Sequence, residues 1–184
     1  MNIECMCERR RSRKMKIARV KNFDIANGKG IGVSVYVSGC RFHCPGCFNQ
    51  EAWDFSYGTE YDGKMLEDIM QKLSSPHIDR LSILGGEPLD MDNLKGVGEI
   101  IASARDRFPN KKIWLWTGYN ENELNDEQRA VARECDCVTY GRFVEALKNI
   151  RRLYSGSDNQ YTKGRDGTVI ENRKDGGGRK CEEK

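Results

Sequence analysis

Nothing in this sequence approaches the ~20 consecutive apolar residues that a membrane-spanning helix requires. The first residues are polar and basic, without the apolar core of a secretory leader, so none is expected. The eight cysteines are accordingly expected to be reduced thiols of a cytoplasmic protein rather than disulfides. Histidine is scarce, with two in the chain. No H-x3-5-H pair and no second C-x2-C pair follows Cys44 and Cys47 to complete a four-ligand zinc site. Neither sign of charge dominates: 31 Lys and Arg stand against 28 Asp and Glu, so the total demands no nucleic-acid partner. The basic run from Arg9 to Lys16 reads as a solvated extension over residues 1–14. The length of 184 residues favours one domain, expected over 15–163, with a polar, glycine-rich tail over 164–184.

What is present is a cysteine triplet. Cys40, Cys44 and Cys47 stand at C-x3-C-x2-C spacing directly after an alternating apolar run. Three thiolates on one short loop can each hold one iron of a 4Fe-4S cubane. An electron-transfer cluster of the usual kind takes four cysteines, so a triplet leaves one iron without a protein ligand. An open coordination position is where a metal centre does chemistry. The Cys44/Cys47 pair alone is also compatible with half a zinc site or a redox motif, and His43 reads as a spacer. Cys135 and Cys137 read as packing residues, and Cys5, Cys7 and Cys181 lie in polar end segments.

The apolar pattern places these cysteines. Val33, Val35 and Val37 alternate as a strand over 31–38. Asp62 is a good N-cap for a helix with Met65, Leu66, Ile69 and Leu73 on one face. A strand over 78–84 ends at Gly85-Gly86-Glu87-Pro88. Asp92 is expected to cap a longer helix carrying Leu94, Val97, Ile100, Ile101, Ala104 and Phe108. Further expectations are a strand over 112–117, a helix over 125–135 and a strand over 137–140. Strands alternating with helices imply right-handed crossovers and a parallel sheet. The repeats fall short of eight, so the expected fold is α/β, a partial, open βα barrel. The cysteine loop, Gly85–Pro88, Thr117-Gly118-Tyr119 and Gly141-Arg142 each follow a strand and converge on one end of that sheet.

Gly85-Gly86 lets backbone approach a ligand without a Cβ in the way, and Glu87 can accept bonds from an ammonium group. One βα unit after a cysteine triplet, this sequence resembles the S-adenosylmethionine (SAM) motif of radical SAM enzymes. Further segments narrow the likeness: Val37-Ser38-Gly39-Cys40, Cys44-Pro45-Gly46-Cys47-Phe48-Asn49, Trp114 to Tyr119, Gly141-Arg142-Phe143-Val144 and Asn159-Gln160, with Asn27-Gly28-Lys29-Gly30 ahead of the first strand. Over about residues 17–161 the chain resembles the activating proteins of anaerobic (class III) ribonucleotide reductase.

The resemblance implies the fold of the radical SAM type and reductive cleavage of SAM at a 4Fe-4S cluster held by Cys40, Cys44 and Cys47. It also implies a glycyl radical placed on the reductase and a reduced flavodoxin-type donor. It puts Gly46, Cys47 and Phe48 beside the adenosine, Gly85, Gly86 and Glu87 at the methionyl end, and Thr117 and Arg142 among further SAM contacts. A homodimer or a complex with the reductase is compatible with it; membrane and nucleic-acid partners are not expected. The sequence departs from the family at Lys29 (usually proline), Gly32 (usually arginine or similar), Tyr140 (an aspartate that helps bind a cation in related activators) and Ser155 (often arginine). The rival readings are a pyruvate formate-lyase activase or small-molecule synthase of the same chemistry, and a zinc-stabilised nucleic-acid module.

Overall fold

A computed structural model describes residues 14–170. Its strands are β1 (Lys16–Asp24), β2 (Gly32–Val37), β3 (Thr59–Glu60), β4 (Arg80–Gly85), β5 (Lys112–Trp116), β6 (Cys137–Tyr140), β7 (Tyr161–Gly164) and β8 (Val169–Ile170). The helices are α1 (Gly63–Leu73), α2 (Met91–Arg107) and α3 (Asp126–Arg133). One open sheet has the order β3-β1-β2-β4-β5-β6-β7-β8.

The expectation of a parallel sheet holds for the middle and fails at both flanks. β2, β4, β5 and β6 pair in parallel, while β1, β3, β7 and β8 pair antiparallel. The cause lies in the connections. A parallel crossover needs a dozen or more residues and usually a helix. The three α-helices supply the crossovers β2→β4, β4→β5 and β5→β6. The link from β1 to β2 is too short for one, and the link from β6 to β7 carries only a 3-10 turn at Glu145–Leu147. The sheet is not closed, since β3 and β8 end it.

Alternation along the strands divides the sheet into two unlike faces. Val33, Val35, Val37, Leu81, Ile83, Ile113, Leu115 and Val138 join one core with Ile69, Leu73, Val97, Ile100 and Ala104 of the helices. The opposite positions are mostly polar or aromatic, with Leu84 an aliphatic exception. Ser34 donates to buried Asp24 (2.6 Å), and Arg80, fully buried, donates to Ser82 (2.6 Å) and the Asp24 carbonyl (2.8 Å). Trp114 stacks with Trp116 and meets Tyr154 edge-on, and Thr139 bonds Thr162. This second face carries no helix among the described residues.

Helix starts follow local side-chain chemistry. Asp62 accepts from the Met65 N–H as expected, and Asn125 forms a reciprocal capping box with Gln128. The cap of α2 is Asp90 rather than Asp92: Asp90 accepts from the Asp92 N–H, which puts Asp92 inside the first turn. Cys135 and Cys137 are buried and in no disulfide, and α3 ends before them. Sheet pairing continues past Gly164 into the β7–β8 hairpin, inside the segment expected to be tail. The rest of that tail, residues 1–13 of the basic extension, and Cys5, Cys7 and Cys181 lie outside the described residues. No helix among the described residues is long and apolar enough to cross a membrane.

Candidate active site

The three cysteines occupy a loop whose base is fixed by backbone. Gly39, at φ +94°, turns the chain out of β2, and its N–H donates to the Ala52 carbonyl (2.8 Å) while Cys40 N–H donates to the Trp53 carbonyl (3.1 Å). At the far end the Cys47 N–H donates to the Cys44 carbonyl (3.1 Å), closing a turn around Gly46 at φ +71°. A Cβ on Gly46 would lie 2.6 Å from Glu145 Oε1, so this glycine also seats the loop against the segment after β6. His43 stacks on Trp53 with centroids 4.7 Å apart.

All three thiols are free. Burial pushes the Cys40 thiol up to about 11, although the Phe42 and His43 N–H groups bond its sulfur and oppose that shift. Burial also raises Cys44, against the Phe143 N–H and the charge of Arg142. Loading a metal here must therefore release protons. Among the described residues no three His, Cys, Asp or Glu side chains gather closely enough to hold one metal ion. A zinc ion needs four donors within ~2.0–2.3 Å of one centre. A cubane gives each thiolate its own iron, and backbone N–H groups aimed at sulfur are the bonds that tune such clusters. The donor set fits a cluster.

The Gly85–Pro88 turn lies against this loop. The Gly86 N–H donates to the Val37 carbonyl (2.7 Å) and the Glu87 N–H to the Gly39 carbonyl (2.8 Å). The glycines do permit close approach, but of the protein's own backbone: a Cβ on Gly85 would lie 2.6 Å from the Val37 oxygen, and one on Gly86 2.6 Å from the Gly39 oxygen. Glu87 is buried and ties this turn to the next loop. Its Oε1 accepts from Leu89 N–H (2.9 Å) and Thr117 Oγ1 (2.7 Å), and its Oε2 from Gly118 N–H (2.7 Å). Burial pushes this carboxyl up to about 7 despite the three hydrogen bonds. Thr117 in turn accepts from the Tyr119 N–H (3.1 Å), so its hydroxyl is engaged on both sides.

The remaining expected residues sit at the rim. Arg142 lies over the Phe42 ring (4.5 Å to the centroid) and bonds Glu123. Phe42 meets Tyr119 edge-on (4.8 Å), and the Gly141 N–H donates to the Tyr119 carbonyl. The loops after β2, β4, β5 and β6 are thus joined in series at one end of the sheet. Phe48 is 86% exposed. Two contributors went unnoticed in the sequence. Arg41 pairs with Asp90 and Asp92 (2.7 Å to the latter), and buried Asn93 donates to the Ser38 and Glu87 carbonyls (both 2.9 Å). A readable signal existed for Asn93, an amide at a core-facing helical position beside Leu94 and Val97.

The Asn159-Gln160 pair holds the long segment between β6 and β7. Asn159 Nδ2 donates to the Arg142 carbonyl and Gln160 Nε2 to the Gly141 carbonyl (both 2.8 Å), while Gln160 Oε1 accepts from the Gly156 and Ser157 N–H groups. Gln160→Ala is expected to lower the melting temperature by about 3–6 °C, the effect of losing ~1–2 kcal/mol of hydrogen bonding in a chain of this size. Differential scanning calorimetry checks it; an unchanged midpoint would show that the segment is held by other contacts.

Comparison with known proteins accords with this geometry. Residues 26–163 match the model of a 4Fe-4S single cluster domain. The chain is 37% identical over 139 residues to the anaerobic ribonucleoside-triphosphate reductase-activating protein of Vibrio cholerae, covering 74% of this chain and 90% of that one. The Escherichia coli protein of the same name is 36% identical with the same coverage, and that of Enterobacteria phage T4 is 32% identical over 146 residues, 79% of this chain and 92% of its own. The chain belongs to the family of anaerobic ribonucleoside-triphosphate reductase-activating proteins.

Two of the positions at which the resemblance marked a departure have definite surroundings in the structure. A Cβ on Gly32 would lie 2.3 Å from Arg80 Nη1, so a guanidinium from β4 fills the space beside Gly32. Tyr140 is buried and stacks on Tyr161 (5.4 Å), with its hydroxyl pushed up to about 12 by burial.

Proposed function

We propose that this chain is a radical SAM activase that installs a glycyl radical on an anaerobic ribonucleoside-triphosphate reductase. The observation that carries the reading is the set of three free thiols at the end of a parallel strand, hydrogen-bonded through Gly39 to the Gly-Gly-Glu-Pro turn. The names of the relatives support the choice of target. A 4Fe-4S cluster on Cys40, Cys44 and Cys47, once reduced by a flavodoxin-type donor, would supply the electron that cleaves SAM to methionine and a deoxyadenosyl radical able to take hydrogen from glycine.

The protein's own part is binding, orientation and exclusion of water. Oε1 of Glu87 already holds two donors, whereas Oε2 holds one and has capacity for an ammonium group. A cation there would favour the charged form of a carboxyl that burial has raised. Thr117 acts by fixing Glu87 rather than by touching SAM, which narrows its expected role. Gly85 and Gly86 set the turn that presents Glu87. Backbone of Gly46 and Cys47 with the exposed ring of Phe48 borders the adenosine, and Arg142 closes the rim from the β6 side. The open sheet, of the partial-barrel type, leaves lateral access for a loop of a large partner in the cytoplasm, as a complex or within a dimer.

The test uses reconstituted, reduced protein with SAM and the reductase, without oxygen. The expected result is 5'-deoxyadenosine together with a glycyl doublet in the electron paramagnetic resonance spectrum of the reductase. SAM cleavage with the radical on pyruvate formate-lyase instead would keep the chemistry and replace the target. No iron-sulfur absorbance after reconstitution would overturn the reading.

A further inference from the structure

The first turn of α2 meets both halves of the site at once. Asn93 is 1% exposed, and its Nδ2 faces three carbonyl oxygens: Ser38 (2.9 Å), Gly39 (3.4 Å) and Glu87 (2.9 Å). Two of these belong to the residues leading into Cys40 and one to the turn that presents Glu87. Its Oδ1 is buried without a partner, as is the hydroxyl of Ser38. A buried amide left half satisfied costs stability. Its neighbours Leu94, Val97 and Ile100 belong to the apolar core, so an aliphatic side chain would suit the helix better. Helix packing therefore does not account for an asparagine here. The three carbonyls do: no aliphatic residue can bond them, and an aspartate would repel them.

Arg41, from the other side of Cys40, pairs with Asp90 and Asp92 in the same turn. The two attachments bracket Cys40, one on each flank. We propose that Asn93 is a positioning residue that fixes the height of Cys40 against the Gly85–Glu87 turn, and so the relation between the cysteine loop and the methionyl end of the ligand. Its bearing on SAM rests on the function proposed above; its effect on the loop does not.

The test is therefore made first on the full-length, cluster-free protein. Iodoacetamide is applied in a short pulse, and modification of Cys40 and Cys135 is followed by peptide mass mapping. Both thiols are buried, but Cys135 lies beyond α3, away from the loop, and reports unfolding of the whole domain. In Asn93→Ala, Cys40 should react about tenfold faster, the scale of losing a net hydrogen bond, with Cys135 within about twofold of the parent. Asn93→Ser, which retains one donor, should fall between them and serves if the alanine variant does not fold. After reconstitution, the KM for SAM per loaded cluster should rise more than kcat falls.

Equal acceleration at Cys40 and Cys135 would mean a general structural role and overturn the proposal. So would an unchanged rate at Cys40. A parent protein that cleaves no SAM would sink the function proposed above while leaving the alkylation result intact, so the two failures are separable.

Discussion

Replacing any one of Cys40, Cys44 or Cys47 by alanine is expected to reduce SAM cleavage by more than about 100-fold, beyond what loss of an outer-sphere partner alone costs. Each thiolate is the sole protein ligand of its iron in this reading, and no spare thiol lies in the loop. Cys135 and Cys137 are buried elsewhere and cannot move in to substitute. Iron and sulfide content, visible absorbance and 5'-deoxyadenosine yield measure the loss. Cys135→Ala is the control, expected to keep its cluster at a modest cost in core packing. Full cleavage activity with one member of the triplet missing would remove the cluster assignment.

The second large effect concerns Gly86. Valine there should damage the cysteine loop itself, not only the affinity for SAM. The new Cβ would sit 2.6 Å from the Gly39 oxygen and 2.8 Å from the Ala52 oxygen, and both are backbone atoms that cannot swing aside. Those carbonyls accept the N–H groups of Glu87 and Gly39, so displacing them pulls on the strand end that carries Cys40. Overpacking against backbone costs about 3 kcal/mol or more at the upper end of such substitutions. Gly86→Val is expected to show reduced iron uptake and a lower unfolding midpoint in denaturant titration. A variant with normal cluster content and stability that has lost only the SAM-induced change in its resonance spectrum would restore the simpler view, in which the glycine serves the ligand alone.

This contrast shows what the residues disclosed and what they withheld. A glycine pair at a strand end announces close approach, but composition cannot say which surface approaches. The central strands were readable because Val33, Val35 and Val37, and likewise Ile113 and Leu115, alternate without interruption. β1 was harder: its register shifts between Ile17 and Arg19 and again between Lys21 and Asp24, which breaks the alternation. β7 and β8 are too short to show a pattern, and only the pairing of β7 with β6 and of β8 with β7 makes them strands. Asp90 and Asp92 are chemically the same cap, separable only by backbone geometry. The cysteine triplet could be read from spacing alone. The ties among Glu87, Thr117 and Gly118 could not, since they join residues 30 or more positions apart.

The buried guanidinium of Arg80 couples the choice of residue on two neighbouring strands. It enters from β4 and fills the space beside Gly32 of β2, donating to Ser82 and to the Asp24 carbonyl while its Nε is buried without a partner. A side chain at position 32 and the guanidinium of Arg80 compete for one volume. A chimera that exchanged only one of these two strands could therefore crowd that space or leave it empty, so the two strands are best moved together.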